Sequence, residues 1–260
     1  ILLNINSLNS ENVHEMHEER EIVDLIWFPT GGGKTEAYFG LTAFNIFCRK
    51  IANPEDCGTS VITRYTFRVL TTQQFERSAA LITSCDIVRK ENPELLGDHT
   101  IDLGLWIGNT ASHKDIDKAV EDCKEIAAKD RRRKRIGEHK FPLHSCPNCR
   151  VSFFRNKLPR KLGIKHLTGP KRVEYLCPNT MCEFANEKIP VSAIDEELYK
   201  KPPTFLIGTV DKFAMISFYN QTRVFFGLGV ESLPPDLIIQ DELHLISGPL
   251  GSIYGTFEKL

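Results

Sequence analysis

Between Ile22 and Ala37 the chain reads Ile-Val-Asp-Leu-Ile-Trp-Phe-Pro-Thr-Gly-Gly-Gly-Lys-Thr-Glu-Ala. An apolar run leads into a glycine-rich turn, and Lys34 and Thr35 then open a helical pattern. No other stretch limits the fold as strongly. Strand, glycine loop and helix in that order bring backbone N–H groups and the positive end of a helix to one point, which suits a chain of phosphates. Pro29, Thr30, Gly31, Gly32 and Gly33 would wrap a nucleoside triphosphate, with Glu36 alongside. Lys34 would reach its β- and γ-phosphates, and the Thr35 hydroxyl would hold Mg²⁺. The pattern G-x-x-x-x-G-K-[ST] is not fully met, because Phe28 stands at its first glycine.

A second stretch bears on the same chemistry. Leu237-Ile238-Ile239-Gln240 is a short apolar strand pattern that runs straight into Asp241, Glu242, Leu243 and His244. Ligands of parallel sheets sit at the carboxyl ends of the strands. A carboxylate there can hold Mg²⁺, here Asp241, and its neighbour Glu242 can polarise an attacking water. Between the two stretches helix and strand patterns alternate. Helices are predicted over 34–50, 66–89 and 115–130, and strands over 60–65, 101–108, 204–208 and 236–240. Ala37, Leu41, Phe44 and Phe47 give the first helix a broad apolar face. Such alternation predicts an α/β domain with a parallel sheet covered on both faces.

From about residue 131 the pattern changes. Cys146-Pro-Asn-Cys149 and Cys177-Pro-Asn-Thr-Met-Cys182 form two knuckles with about 27 residues between them. Four thiolates on two tight turns suit tetrahedral, structural Zn²⁺, whose binding would supply folding energy to a short segment. His144 is near, but the cysteines already fill the shell. Cys48, Cys57, Cys85 and Cys123 are scattered singly and read as small core or surface residues. The chain divides accordingly into a first part of the α/β domain (1–130), a zinc-binding insertion (131–200) and a second part (201–260). The insertion and its approach are basic, from Arg131 to Arg135 and on through Arg150, Lys161, Lys165 and Arg172, with Phe153, Phe154 and Tyr175 between. That ribbon reads equally as a track for nucleic-acid phosphates or as a solvated face over a small aromatic core.

Composition narrows the rest. At 260 residues and a net charge of −1, no global basic field announces a nucleic-acid partner, so any such contact must be local. No apolar run approaches the roughly 20 residues that span a bilayer. A cytoplasmic protein without membrane contact is expected. The chain starts at Ile1 without a signal-like segment and reads as an excerpt of a longer one.

With these motifs in hand, Pro29 to Thr35 and Asp241 to His244 resemble motifs I and II of the DExH-box superfamily 2 ATPases. Arg64 to Gln74 stands where motif Ia of that family follows its second strand. Gly208-Thr209-Val210-Asp211-Lys212-Phe213 is similar to motif Ib, with Lys212 in place of the usual Arg. More narrowly, Trp27 to Tyr38, Arg64 to Phe75 and Asp241 to Gly251 are similar to the helicase subunits of DISARM antiphage systems. The resemblance covers most of the chain outside 110–200.

It implies a RecA-like P-loop NTPase domain carrying a zinc-ribbon-like insertion, and an ATP-dependent helicase or translocase acting on nucleic acid, DNA in such systems, with other subunits of a defence complex. Lys34, Asp241, Glu242 and His244 would form its catalytic set, His244 linking the nucleotide site to the nucleic-acid face. Arg64, Thr66, Arg68, Gln73, Gly208, Thr209 and Lys212 would touch the sugar-phosphate backbone of one strand. Two rivals share the motifs. One is a restriction-type subunit that pumps duplex without separating strands; the other is a nucleotide-switched binding module that does not hydrolyse, against which Glu242 argues. No motif III, second RecA-like domain or arginine finger follows within these residues. The fragment alone is therefore expected to bind nucleotide weakly and hydrolyse it slowly.

Overall fold

The structure, a computed structural model, describes residues 33–66, 72–108, 112–132, 134–154 and 161–241. Helix α1 (Lys34–Ala52) leads to strand β1 (Val61–Tyr65), followed by α2 (Thr72–Glu91), α3 (Pro93–Leu96) and β2 (Leu103–Trp106). Then come α4 (Ile116–Arg131), a hairpin of β3 (Ile164–Thr168) and β4 (Lys171–Tyr175), β5 (Val191–Ser192) and α5 (Asp195–Lys200). Strand β6 (Phe205–Thr209), α6 (Val210–Ala214), two 3₁₀ turns and β7 (Leu237–Gln240) complete it. Five strands form one sheet in the order β5-β2-β6-β1-β7, and every pairing within it is parallel.

Strand periodicity decides what each face of that sheet buries. Val61, Leu103, Leu105, Phe205, Ile207 and Ile239 belong to one apolar cluster, together with Ile46 of α1 and Phe75, Ala79 and Ile82 of α2. The intervening Ile62, Trp106 and Leu206 point the other way, into a second cluster with Leu198, Val210, Phe213 and Phe225. Side chains alternate at period two along a strand, so two cores on opposite faces follow directly from the sequence. This is the α/β RecA-like arrangement expected, with helices on both faces. Among the described residues, no helix is long and apolar enough to cross a membrane.

The cysteine stretch is more ordered and more apolar than its irregular sequence suggests. Its hairpin β3–β4 is antiparallel, pairing Ile164 with Tyr175 and His166 with Val173. Phe141, Leu143, Phe153, Tyr175 and Phe184 are buried there in the same cluster as Ile116, Ala119, Val120, Cys123 and Ile126 of α4. These α4 positions recur at the spacing of one helix face, and α4 packs on both hairpin strands. A helix with few large hydrophobes thus joins the cysteine stretch to the main core. The chain also rejoins the sheet by Val191, since β5 pairs with β2 inside the 131–200 stretch.

Candidate functional site

The register of the sheet brings three of the sequence motifs level. Arg64 in β1 lies opposite Gly208 of β6 on one side and Gln240 of β7 on the other. Asp241 follows at once, its backbone N–H donating to the Arg64 carbonyl at 3.1 Å. Gln240 Nε2 donates to the Arg64 carbonyl at 3.2 Å and to the Asp241 carbonyl at 3.0 Å, which ties the two strand ends together. Into this edge comes the start of α1. Lys34 Nζ lies 2.7 Å from Asp241 Oδ1, with the Lys34 side chain 40% exposed and that of Asp241 9%.

Local chemistry explains the approach. Gly33 has φ 80°, in the left-handed region, and as the N-cap of α1 it brings no side chain to cap the first turn. The first N–H of α1 with a partner along the helix is that of Ala37, which donates to the Gly33 carbonyl at 3.0 Å. The N–H groups before it precede the first intrahelical bond, as at any helix start. A cation, a helix start with no side-chain cap and a largely buried carboxylate therefore face one another.

Four neighbours were not singled out from sequence. The Tyr38 ring centroid is 5.7 Å from Lys34 Nζ, and its position four residues on from Lys34 is the signal that could have found it. Burial, reinforced by the charge of Asp241, pushes the Tyr65 hydroxyl up to about 12, so it stays protonated beside that carboxylate. Arg77 of α2 pairs with Glu36. A backbone hydrogen bond at Glu36 and then Arg77 hold the Glu36 carboxyl below its ordinary value. Gln240, the fourth, shows no sequence signal beyond its place next to Asp241.

At the end of β6 a side chain on Gly208 would collide with Phe213, since a Cβ there would sit 2.6 Å from Phe213 Cε2. The close approach lets Phe213 lie edge-on to Trp106, centroids 5.2 Å apart, and places the Arg64 guanidinium 5.8 Å from the Phe213 ring centroid. Thr209 is buried and Thr66 partly so, while Gln73 is exposed in the first turn of α2. Lys212 is turned inward. Its Nζ donates to Asp195 Oδ2 at 2.6 Å and lies 5.3 Å from the Trp106 ring centroid. Burial raises the Asp195 carboxyl above its ordinary value, and the Lys212 ammonium counters that. Pro29, Thr30, Gly31, Gly32, Arg68, Glu242 and His244 lie outside the described residues.

Cys146, Cys149, Cys177 and Cys182 converge, their sulfurs all within 4.8 Å of one another. Cys146 and Cys182 are 3.8 Å apart and Cys149 and Cys177 3.3 Å. Four sulfurs at Zn–S distances of about 2.3 Å stand about 3.8 Å apart in a tetrahedron, whereas a disulfide needs about 2.05 Å. The set fits a metal ion such as zinc. Backbone contacts shape both knuckles: the Cys146 N–H donates to the Val151 carbonyl at 2.9 Å and the Cys177 N–H to the Phe184 carbonyl at 2.7 Å. Burial pushes the Cys146 thiol up to about 11. At Cys149 desolvation is outweighed by the Val151 N–H and neighbouring groups, which lower it to about 7. Of the scattered cysteines, Cys85 and Cys123 are buried and Cys48 and Cys57 exposed.

No family model matches the chain. Over 297 aligned residues that take in 100% of this chain, it is 35% identical to DISARM protein DrmA of Bacillus paralicheniformis. The chain is DISARM-related. It spans 26% of that relative's length. Because the alignment runs the full length of this chain, it takes in the glycine-rich stretch, the strand ends and the cysteine knuckles together.

Proposed function

We propose that this chain is the nucleotide-binding half-site of a DExH-type ATPase that acts on DNA in antiphage defence. The observation that carries the reading is the 2.7 Å contact between Lys34 and Asp241, residues from two motifs at opposite ends of the sequence. Lys34 would leave Asp241 for the β- and γ-phosphates of ATP, and the freed carboxylate would face Mg²⁺ held with Thr35. The uncapped start of α1 supplies N–H donors and a positive dipole end for the same phosphates. Bound Mg²⁺ would neutralise phosphate charge, while Glu242 would orient the attacking water. Arg64, Thr66, Gly208 and Thr209 at the strand ends would grip a sugar-phosphate backbone without reading bases, and His244 would join that face to the nucleotide. The kinship with a DISARM protein supports a defence role among other subunits.

The test uses the full-length protein, with ATP hydrolysis measured without DNA, with single strands and with duplex. Wild type is compared with Lys34→Ala and Glu242→Gln. DNA should raise the wild-type rate, and both substitutions should abolish turnover, with Glu242→Gln retaining nucleotide binding. A DNA-independent rate sinks the translocase reading. A fully active Glu242→Gln variant sinks the assignment of the water-orienting residue.

A further inference from the structure

The stretch from Arg131 to Tyr175 holds 14 Lys and Arg against two acidic residues, Glu138 and Glu174, a net +12 in a chain whose total is −1. All remaining residues together carry −13. Solubility asks only for dispersed charge, so concentrating one sign in a single module needs another cause. Lys171 and Arg172 are paired, with Asp117 at 2.6 Å and Glu174 at 2.8 Å. Arg132, Lys134, Arg135, Arg150, Lys161 and Lys165 are exposed, and none of these six has a carboxylate within ion-pair distance among the described residues.

Backbone hydrogen bonds and packing fix the frame under these cations. Arg132 caps α4, and the Lys134 N–H donates to the Lys129 carbonyl at 2.9 Å. Arg150 closes the first cysteine knuckle in the left-handed conformation, φ 62°. Lys165 stands on β3 next to the buried Ile164 and so faces outward. Arg135, His139 and His144 line an open cleft of about 600 Å³, where the His139 ring lies 4.0 Å, centroid to centroid, from Phe154.

We infer that the cysteine module is a nucleic-acid-holding face of its own, gripping the phosphodiester backbone independently of sequence and of the nucleotide site. Solvated cations spread over a hairpin, a knuckle and a helix end fit a regular array of phosphates, where released counterions drive binding. A membrane surface is the poorer match, because interfacial binding adds apolar side chains that enter the lipid. Met181 is the one large apolar side chain exposed between 131 and 200 among the described residues.

The experiment titrates full-length protein, without nucleotide, against a fluorescent duplex of mixed sequence over a range of salt. One variant carries Arg132→Glu, Lys134→Glu and Arg135→Glu; a milder one carries Arg150→Gln, Lys161→Gln and Lys165→Gln. Each should bind at least about tenfold more weakly, with the slope of log affinity against log salt shallower by about one for each phosphate no longer neutralised. Metal content and DNA-free ATP hydrolysis should match wild type. Unchanged affinity and slope in folded, metal-loaded variants overturn the inference. So does wild-type binding to polyglutamate or phosphatidylserine vesicles as tight as to duplex. Because the titration needs no nucleotide, an absence of ATPase activity would count against the nucleotide site alone and leave the binding result standing.

Discussion

Arg49 offers the sharpest test of how the sheet edge that carries Lys34 and Asp241 is held in register. It sits in the last turn of α1, whose first residue is Lys34, about 22 Å away along the helix axis. Its side chain is 4% exposed, and all three guanidinium nitrogens donate hydrogen bonds. Nε donates to Asp56, Nη1 to Asp236 Oδ2 at 2.9 Å and to the Pro234 carbonyl at 2.6 Å, and Nη2 to the Leu233 carbonyl at 2.8 Å. Leu233, Pro234 and Asp236 form the run into β7, which ends just before Asp241. Arg49 thus clamps the far ends of the two elements whose near ends carry Lys34 and Asp241. Arg49→Met would keep the buried stem while leaving the Asp56 carboxylate, 2% exposed, without its guanidinium. Breaking one side of a buried pair costs about 3–5 kcal/mol. The Lys50 ammonium, which donates to the Asp56 carbonyl at 2.6 Å, keeps positive charge nearby and puts the expectation at the lower end. Urea unfolding of Arg49→Met, Asp56→Leu and the double variant measures it. The double variant should be more stable than the sum of the single losses predicts, since it removes the stranded charge as well. Additive losses, or a loss in Arg49→Met below about 1 kcal/mol, the level of an ordinary neutral hydrogen bond, would refute the clamp.

Other contacts can be tested in the same way. Gly208→Ala should destabilise by about 1–3 kcal/mol, because its Cβ would stand 2.6 Å from Phe213 and overpack the Trp106 cluster; thermal unfolding and Trp106 fluorescence report it, and a neutral substitution refutes the close approach. Chelation, Cys146→Ser and Cys177→Ser should each remove bound metal and loosen the hairpin–α4 packing, read by metal analysis and hydrogen exchange; a metal-free yet fully folded wild type rejects a zinc site. At the start of α4, Asp115 accepts the Lys118 N–H at 2.9 Å and Glu196 accepts the Ile116 N–H at 3.0 Å, and these bonds, for Glu196 after its pair with Lys200, hold both carboxyls below their ordinary values. Depressed carboxyls stabilise the fold above their ordinary range near pH 4 and lose that contribution as pH falls through the folded values, so Asp115→Asn and Glu196→Gln should flatten the acid side of the stability profile.

Local sequence signals in this chain are legible where burial on two faces writes them into adjacent residues. Val61-Ile62-Thr63 and Phe205-Leu206-Ile207 are β-branched or apolar at every position because both faces of the sheet are covered, and each reads as a strand. β5 does not, because Val191 and Ser192 alone carry no period. α4 reads as weak because Ala119 and Cys123 are small, yet small residues let the hairpin come close. The glycine-rich stretch and the acidic strand end are each plain in the text. Their contact through Lys34 and Asp241 needs the register of three strands, which no local pattern encodes. Lys212 shows the same limit: matched to a motif, it is expected at a phosphate, while the Asp195 that holds it lies 17 residues earlier and carries no sequence signal.

That last pair joins the two halves of the molecule. The cysteine hairpin rests on α4, where Asp122 Oδ2 lies 2.8 Å from His113 Nε2. The His113 carbonyl accepts the Asp195 N–H at 3.1 Å, and the Asp195 carboxylate holds Lys212 at the end of β6. Asp195 is 1% exposed, and its second oxygen, Oδ1, has no partner among the described residues. A half-satisfied buried carboxylate tolerates little displacement, because losing Lys212 would strand its charge. Movement of α4 against the sheet either carries Asp195, and Lys212 with it, or breaks the His113–Asp122 contact, whose Asp122 side chain is 44% exposed. Packing of the hairpin on α4 and the hydrogen bonds that follow it thus join the base of the cysteine module to the strand-end loop beside Arg64.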